Sequence, residues 1–522
     1  MTASAALRQT SGDVARLARL TRDLPRFLRT HETLEDAAAT IRQRLATRDK
    51  RFLDLADRLI YARRRSPYFR LLKAAGCEQG DLRELVSQEG LEGALTRILA
   101  DGVYVTYDEF KGRKEAVRGS QRYLFTEGEF DNPTISPHFE ARTGGTRSSG
   151  SPVKFDLAFV RDQAVNIKLM LHNHGLLEYD HVIWFQYGLT EMLRYASAGG
   201  VSLAWFYLLK TLPPKIKTAG RYMAALSRLV GNRLPSPVYL DVRDPLGIVR
   251  WLVPRLAEGR SICVTTYASS AVRVAAAAVE AGVSLRNVCF VTMGEPFTDT
   301  RQSIVQASGA RAVVRYAFTE GGILGYSCAQ PRYADDVHLF KDSYAVIHRG
   351  RDVGRFAQAV DAFLFTSLLP TAPKVLLNVE NGDYGIMEQR SCGCSLEALG
   401  LHDHAGMIRS FEKLTGEGVT FVQTDLLRIL EHTLPARFGG TSTDYQVLEV
   451  EGTDGITHLL LVISPRIGPV DEESARRLLL DELGKDGLSA EIWQRLDTVQ
   501  VQRRWPEATR AGKILPFHLV RA

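Results

Sequence analysis

The feature of this 522-residue sequence that most constrains its fold is an alternation of short apolar runs with helical stretches. It starts near residue 135, and its β-branched or apolar runs cover residues 181–185, 261–265, 287–292 and 312–316. The Ala- and Val-rich stretch over 268–282 has a helical pattern. Because strands that alternate with helices are typical of βαβ units, we predict an α/β fold with parallel strands.

A second unit follows a polar, Gly-punctuated stretch near residues 402–418. Its predicted elements are a helix over 424–433, strands over 444–451 and 457–463 joined by a turn at 452–455, a helix over 471–483, and a strand over 498–503. One hairpin combined with alternating strands and helices predicts a small α+β domain.

The amino-terminal segment differs from the rest in charge. Residues 1–70 contain 16 Lys or Arg against 8 Asp or Glu, so the formal net charge of +6 is carried by this segment. Apolar residues at helical spacing over 33–65 predict amphipathic helices. We therefore predict a basic helical lead-in over 1–70, a large multi-layer α/β domain over 71–408 and a small α+β domain over 409–522. The near-neutral body argues against nucleic-acid binding.

The composition also bears on the cellular location of the protein and on whether its cysteines form disulfides. No window offers the about 18 consecutive apolar residues of a membrane span, and the amino terminus lacks a signal-peptide pattern, so we expect a cytoplasmic protein. Six cysteines are too few for a disulfide framework.

The segment from Arg142 to Lys154 is dense in Gly, Ser and Thr. Such a loop offers backbone N–H groups and hydroxyls to an anion. Ser and Pro stand where a Walker loop has Lys and Ser/Thr, so it is not a loop of that type. A plain flexible turn is the alternative.

Two further motifs directly follow apolar runs. Residues 316–320 read Tyr-Ala-Phe-Thr-Glu, and residues 293–296 read Met-Gly-Glu-Pro. Ligands of α/β sheets bind at the carboxyl ends of strands, so both motifs are candidates for a nucleotide site. An ordinary strand end with a helix cap is the alternative. Gly382-Asp383, Arg409 and the Gly-flanked Lys513 complete the set of candidates.

In this order, the motifs resemble those of the adenylate-forming superfamily of acyl-CoA synthetases, adenylation domains and luciferases, and most closely those of phenylacetate–CoA ligases. The family's Thr-Ser-Gly-Thr-Thr-Gly-x-Pro loop is matched at 143–152, with Arg147 for a Thr and one extra residue. Its Gly-Glu-Pro is intact at 294–296, and its Tyr-Gly-x-Ser/Thr-Glu segment has Ala317 for Gly. The resemblance covers roughly residues 60–522.

The resemblance implies a role for each matched residue. The loop that would hold the β- and γ-phosphates of ATP consists of Thr143, Gly144, Gly145, Thr146, Arg147, Ser148, Ser149 and Gly150. Gly294, Glu295 and Pro296 would line the adenine and acyl pocket, adenine would stack on Tyr316, and Asp383 would bind the ribose. Thr319 would contact the α-phosphate, Glu320 would bind Mg²⁺, Arg409 would lie in the hinge, and Lys513 would bridge the substrate carboxylate and the α-phosphate.

The implied activity is ATP-dependent activation of a small carboxylic acid to an acyl- or aryl-adenylate, followed by transfer to coenzyme A. A small domain that bears Lys513 would be a mobile lid. Transfer to an acyl carrier protein or to an amine is the alternative for the second step. A degenerate, non-catalytic nucleotide-binding homologue is a further alternative, which the altered loop favours and the intact Glu320 and Lys513 oppose. A homodimer is left open.

Three of the six cysteines and one histidine fall in two pairs, Cys328-x₉-His338 and Cys392-x-Cys394. Three thiolates and one imidazole satisfy a closed tetrahedral zinc site. Some phenylacetate–CoA-ligase-like proteins resemble this chain in pairing the same two motifs. We therefore predict structural Zn²⁺ at these four residues, with free buried thiols as the alternative.

Overall fold

The computed structural model describes residues 3–142, 152–208, 212–242, 244–351, 360–410, 415–416, 419–420, 425–451, 457–484, 499–508, 514 and 517–520. The predicted turn at 452–455 lies outside them.

The helices occur in four groups: the lead-in, the layers on the large sheet, the connections between them, and the carboxyl-terminal unit. They are α1 Ala3–Arg29, α2 Leu34–Ala46, α3 Arg48–Leu55, α4 Pro67–Ala74, α5 Gln79–Ala100, α6 Tyr107–Phe110, α7 Leu157–Asn173, α8 Gly188–Ser197, α9 Pro214–Arg228, α10 Pro245–Ala257, α11 Ala268–Glu280, α12 Asp299–Ala307, α13 Asp425–Arg428, α14 Leu434–Phe438 and α15 Glu472–Gly484.

The strands form one large sheet, one four-stranded sheet and three two-stranded ribbons. They are β1 Ala116–Arg118, β2 Gln121–Tyr123, β3 Phe139–Arg142, β4 Pro152–Phe155, β5 Asp180–Trp184, β6 Ser202–Tyr207, β7 Pro237–Tyr239, β8 Ile262–Tyr267, β9 Val288–Met293, β10 Arg311–Phe318, β11 Gly322–Ser327, β12 Val337–Leu339, β13 Tyr344–Arg351, β14 Val360–Ser367, β15 Val379–Gln389, β16 Asp403–Ser410, β17 Thr415–Gly416, β18 Val419–Thr420, β19 Tyr445–Glu451, β20 Thr457–Ile463, β21 Val499–Arg503 and β22 Phe517–Val520.

The large sheet has 12 strands in the order β13-β14-β15-β16-β12-β11-β10-β9-β8-β5-β6-β7. The strands from β10 to β7 pair in parallel, as the alternation of strands and helices predicts. Every residue of β8 and β9 is buried, because helices cover both faces of a parallel sheet.

The alternation of strands and helices does not extend to the other half of the sheet. From β10 to β13 every neighbouring pair is antiparallel. The turn between β10 and β11 comprises only residues 319–321. Such a short connection allows a hairpin, whereas a parallel pair needs a crossover of a dozen or more residues.

The carboxyl-terminal unit has its own sheet, in the order β21-β20-β19-β22, and its own hydrophobic core. The predicted strand 457–463 matches β20, and the predicted helix 471–483 matches α15 to within a residue. The fold is thus the predicted one, a large α/β unit followed by a smaller α+β unit.

The basic lead-in packs against the large unit. Leu20, Leu24 and Phe27 of α1 are buried in the main hydrophobic core. The Thr21 hydroxyl lies 2.6 Å from the Tyr222 hydroxyl of α9. Among the described residues, no helix combines the length and the hydrophobicity that a bilayer-spanning segment requires.

Candidate active site

The Gly294–Pro296 turn follows β9 directly, and its acidic residue is fully engaged by protein groups. The Glu295 carboxylate accepts the backbone N–H of Ser269 at 2.7 Å and the Ser269 hydroxyl at 2.9 Å. Ser269 lies in the first turn of α11, where a negative charge is favourable. Glu295 therefore stabilises the turn that contains Gly294 and Pro296.

Arg301 of α12 holds the same turn from the other side. Its Nη1 donates to the Pro296 carbonyl at 2.6 Å and lies 3.5 Å from the Glu295 carboxylate. Its Nε lies 3.4 Å from Oε1 of Glu431, in the carboxyl-terminal unit. The buried Arg301 guanidinium thus connects the Gly294–Pro296 turn, a predicted part of the nucleotide site, with the carboxyl-terminal unit.

The structure brings Tyr316 and Asp383 together. The Tyr316 hydroxyl donates to Oδ2 of Asp383 at 3.1 Å, and Nδ2 of Asn381 donates to both, at 2.8 and 2.9 Å. The Tyr316 ring lies against Phe363 and Phe365. Burial raises the pKa of the Tyr316 hydroxyl well above its usual range, so it stays a neutral donor. Adenine and ribose candidates from distant parts of the sequence are therefore neighbours.

Thr319 and Glu320 lie in the turn of the β10–β11 hairpin. Gly322 closes the turn at φ 84°, and a Cβ atom there would come 1.9 Å from Nε2 of Gln163. A side chain at that position would have to displace the Gln163 and Phe159 side chains of α7, and its positive φ would be strained. Glu320 is buried and half-buried Thr319 precedes it. The hairpin geometry thus fixes where the Glu320 carboxylate lies.

Lys111, which sequence reasoning missed, is the partner of Glu320. Its ammonium lies 2.5 Å from Oε1 of Glu320 and 2.9 Å from Oε1 of Glu127. Burial lowers the pKa of Lys111, but the nearby carboxylates, Glu320 foremost, raise it by more, so it stays charged. Two carboxylates share one ammonium, and the remaining negative charge suits a further cation. The 209 residues between Lys111 and Glu320 left no sequence signal for this pair.

Arg409 is held by Asp335. Its Nη1 donates to Oδ2 of Asp335 at 2.9 Å, and the same carboxylate accepts the backbone N–H groups of Met407 and Ile408. Met407 has a φ of 51°, a left-handed conformation that is unusual for a residue with a side chain. Asp335 therefore stabilises a strained segment of β16. Register pairs Tyr384 with Arg409, so Arg409 lies one residue from Asp383 across the ladder.

The predicted phosphate loop and the predicted catalytic lysine lie outside the described residues: Thr143, Gly144, Gly145, Thr146, Arg147, Ser148, Ser149, Gly150 and Lys513. Their roles stay predictions.

The predicted zinc ligands converge in space. Cys328, His338 and Cys392 offer ligand atoms that all lie within 4.8 Å of one another, together with His404. Nε2 of His338 is 3.6 Å from Sγ of Cys392 and 3.1 Å from Sγ of Cys394. The donor chemistry, thiolates and imidazoles in a buried cluster, fits zinc. Cys394 stays a predicted ligand, and His404 is a donor that sequence reasoning missed.

Solved structures with a similar fold include those of an acyl-CoA ligase. The structure of 2-hydroxyisobutyryl-CoA ligase in the postadenylation state with R3-HIB-AMP matches over 94% of this chain and 91% of its own, at 14% identity and a TM-score of 0.52. The same enzyme with 2-HIB-AMP matches over 93% and 90%, also at 14% identity and 0.52. No protein-family model and no curated protein matches the sequence.

The chain has the fold of an adenylate-forming CoA ligase. This confirms the fold that the ordered motifs predict. In this fold the described candidates cluster at the carboxyl ends of β9 and β10 and on the β15–β16 pair. At 14% identity the substrate of the similar enzyme does not carry over to this chain.

Proposed function

We propose that this protein is an AMP-forming ligase of the phenylacetate–CoA ligase type. It would convert a small carboxylic acid and ATP into an acyl- or aryl-adenylate and pyrophosphate, and then transfer the acyl group to the thiol of coenzyme A. The contact between Tyr316 and Asp383 carries the proposal, because it joins an aromatic ring and a carboxylate at the edge of the sheet where this fold would bind a nucleoside.

The chemistry explains why such a site needs cations. A carboxylate is a poor acyl donor because its leaving group would be oxide. Attack of the carboxylate oxygen on the α-phosphorus forms a P–O bond, breaks the bond to pyrophosphate and leaves a mixed anhydride with a good leaving group. Two anions must meet for this step, so positive charge has to be fixed around them.

Each of these residues would bind a different part of the nucleotide. The ring of Tyr316 would stack on adenine, and the carboxylate of Asp383 would accept the ribose hydroxyls. Gly294 and Pro296 would form the wall between the adenine and acyl pockets. Thr319 would donate its hydroxyl to the α-phosphate. Arg409, which lies on β16 of the large sheet and is held by Asp335, would supply positive charge near the nucleotide.

Mg²⁺ fits the environment of Glu320. Buried Glu320 and half-buried Glu127 together keep one negative charge after the Lys111 ammonium is counted. Glu320 would hold the ion, which when bound would neutralise phosphate oxygens of ATP. Lys111 would hold the Glu320 carboxylate in place before the nucleotide arrives.

The residues outside the described part would complete the site. The loop over 143–150 would hold the β- and γ-phosphates through backbone N–H groups and hydroxyls. Lys513 would bridge the substrate carboxylate and the α-phosphate. With domains at 71–408 and 409–522, rotation of the smaller one would bring Lys513 to the adenylate and remove it for the thiol step. The contact of Arg301 with Glu431 would be remade at each rotation.

The Cys/His cluster would hold structural Zn²⁺. Cys328 follows β11, His338 is in β12, and Cys392 follows β15, so a bound ion would fasten three segments of the antiparallel half of the sheet. A site closed by four protein ligands has no open position for a substrate, which makes it structural and not catalytic.

The proposal is tested by product analysis. Purified protein is incubated with ATP, MgCl₂, coenzyme A and a pool of carboxylic acids, and products are identified by mass spectrometry. We expect AMP, pyrophosphate and a thioester of one acid class. An adenylate that accumulates without thioester would favour a carrier protein or an amine as acceptor. Nucleotide binding with no pyrophosphate release would instead support a non-catalytic homologue.

A further inference from the structure

The Cys/His cluster contains one imidazole that the sequence motifs do not account for. His404 of β16 is 1% exposed, and its Nε2 has no hydrogen-bond partner among the described residues. The same ring contributes a ligand atom to the group that lies within 4.8 Å of Cys328, His338 and Cys392. A buried polar atom without a partner is unfavourable, and a bound ion would supply that partner.

The orientation of the His404 ring is set by a carboxylate. Its Nδ1 lies 2.8 Å from Oδ1 of Asp336, which accepts the Nδ1 proton and leaves a lone pair on Nε2. Asp336 is itself held by the backbone N–H of Arg332 at 2.7 Å and by the guanidinium of Arg390. A carboxylate behind the outer nitrogen of a histidine is the usual second shell of a zinc-binding imidazole.

His338 has the same arrangement. Its Nδ1 donates to the Leu401 carbonyl at 2.8 Å, so its Nε2 also carries the lone pair and faces the thiols. His338 and His404 are register partners of β12 and β16, and their ring centroids are 4.0 Å apart. Two imidazoles therefore present Nε2 to the same point.

We propose that Nε2 of His404 is a zinc ligand, in a set formed with Cys328, His338 and Cys392, and that Cys394 lies beside the ion without binding it. This rests on the zinc site proposed above. Tetrahedral zinc with Zn–N of about 2.0–2.1 Å and Zn–S of about 2.3 Å separates N and S ligands by about 3.6 Å. The His338–Cys392 distance is 3.6 Å, whereas Cys394 lies closer to the same nitrogen, at 3.1 Å, and is not among the residues whose ligand atoms lie within 4.8 Å of one another.

This set links the ion to the predicted nucleotide site. Asp336 orients His404, and its neighbour Asp335 holds Arg409 on the same strand. Zinc bound by His404 would fix β16 against β12 at the point where the chain turns toward Met407 and Arg409.

The ligand count is read on the wild-type protein, without any variant. Zinc K-edge X-ray absorption distinguishes two sulfur and two nitrogen neighbours from three sulfur and one nitrogen. We expect two of each. Three sulfur neighbours would overturn the role of His404 while leaving the zinc site intact. A protein that is purified without zinc, and takes up neither Zn²⁺ nor Co²⁺, would overturn the whole site.

Variants assign the ligands individually by competition with a chromophoric chelator and by the thiolate-to-cobalt charge-transfer band. We expect Cys394→Ser to retain the band and the affinity, and Cys392→Ser to lose about half of the band. His404→Gln should weaken Zn²⁺ binding by more than the ~10–100-fold that loss of an outer-shell partner costs, and Asp336→Asn by about that amount. Exposed His402→Gln is the control. A weakened Cys394→Ser with an unchanged His404→Gln would contradict the proposed set.

Discussion

The hydroxyl of Tyr316 donates a hydrogen bond to Oδ2 of Asp383 at 3.1 Å. Tyr316 lies in β10 and Asp383 in β15, which are four places apart in the sheet order. The Tyr316 ring also lies against Phe363 and Phe365 of β14, which pairs with β15. A nucleoside that stacks on Tyr316 would meet the Asp383 carboxylate at its ribose.

Removal of the Asp383 carboxylate should weaken ATP binding. Hydrogen bonds to a charged group contribute about 1.5–3 kcal/mol, so Asp383→Ala should raise the Kd for ATP by roughly 10–100-fold. Tyr316→Phe keeps the ring and should cost less than tenfold. Isothermal titration calorimetry measures both. Asp361→Ala, at an exposed position of β14, is the matched control. An unchanged Kd in Asp383→Ala would remove Asp383 from the ribose site.

Loss of the Lys111 ammonium should destabilise the fold. Lys111→Met leaves Glu320 and Glu127 near each other without their shared cation, and breaking a buried pair costs about 3–5 kcal/mol. Lys50→Met, which breaks an exposed pair with Asp54, should cost less than about 1 kcal/mol. Denaturant unfolding compares them. Adding Glu320→Gln to Lys111→Met should recover part of the loss. Equal effects of Lys111→Met and Lys50→Met would contradict the buried pair.

Glu92 should make stability sensitive to acid. Burial alone would raise its pKa, but Arg48 and Lys341 outweigh it and lower the pKa from 4.5 to about 2. A carboxyl with a lower pKa in the folded state contributes stability above its unfolded pKa, and that contribution is lost as the pH falls. The stability difference between wild type and Glu92→Gln should therefore shrink from pH 4.5 toward pH 2. A pH-independent difference, measured by urea unfolding, would refute it.

Asp335 should act through Arg409. Asp335→Asn removes the charge that holds the guanidinium and weakens the acceptor for two backbone N–H groups at strained Met407. We expect a raised KM for ATP together with a small fall in Tm. Asp403→Asn, on the same strand as Arg409, should leave the KM for ATP unchanged. If only the Tm falls in Asp335→Asn, Arg409 has no part in nucleotide binding.

Local patterns predicted the strands and helices well where burial is continuous. β8, β9 and β20 are apolar runs that strongly favour a buried strand. Their predicted spans differ from the observed ones by at most two residues. The antiparallel half of the sheet was not predicted, because the direction in which two strands pair depends on the length of the connection between them. The sequence did not show that residues 319–321 form a short hairpin turn that ends at Gly322.

Ion pairs and ligand sets that join distant segments could not be predicted from the sequence for a related reason. Lys111 meets Glu320, and His404 meets His338, only because strand order and register put them together. The motifs did predict Tyr316 and Asp383 as one site, and Cys328, His338 and Cys392 as one cluster. A short motif indicates the chemistry of its own residues. The side chains that pair with those residues and orient them come from elsewhere in the chain.

The most direct test of the proposed function is acid-dependent ATP–pyrophosphate exchange. Purified protein is given ATP, MgCl₂ and labelled pyrophosphate with each member of a broad carboxylic-acid panel, and label entering ATP is counted. We predict exchange that requires one class of acid and falls by roughly 10²–10³-fold in Lys513→Ala, the usual cost of losing one charge-stabilising contact. Absence of exchange with every acid, in protein that still binds ATP, would contradict adenylate formation.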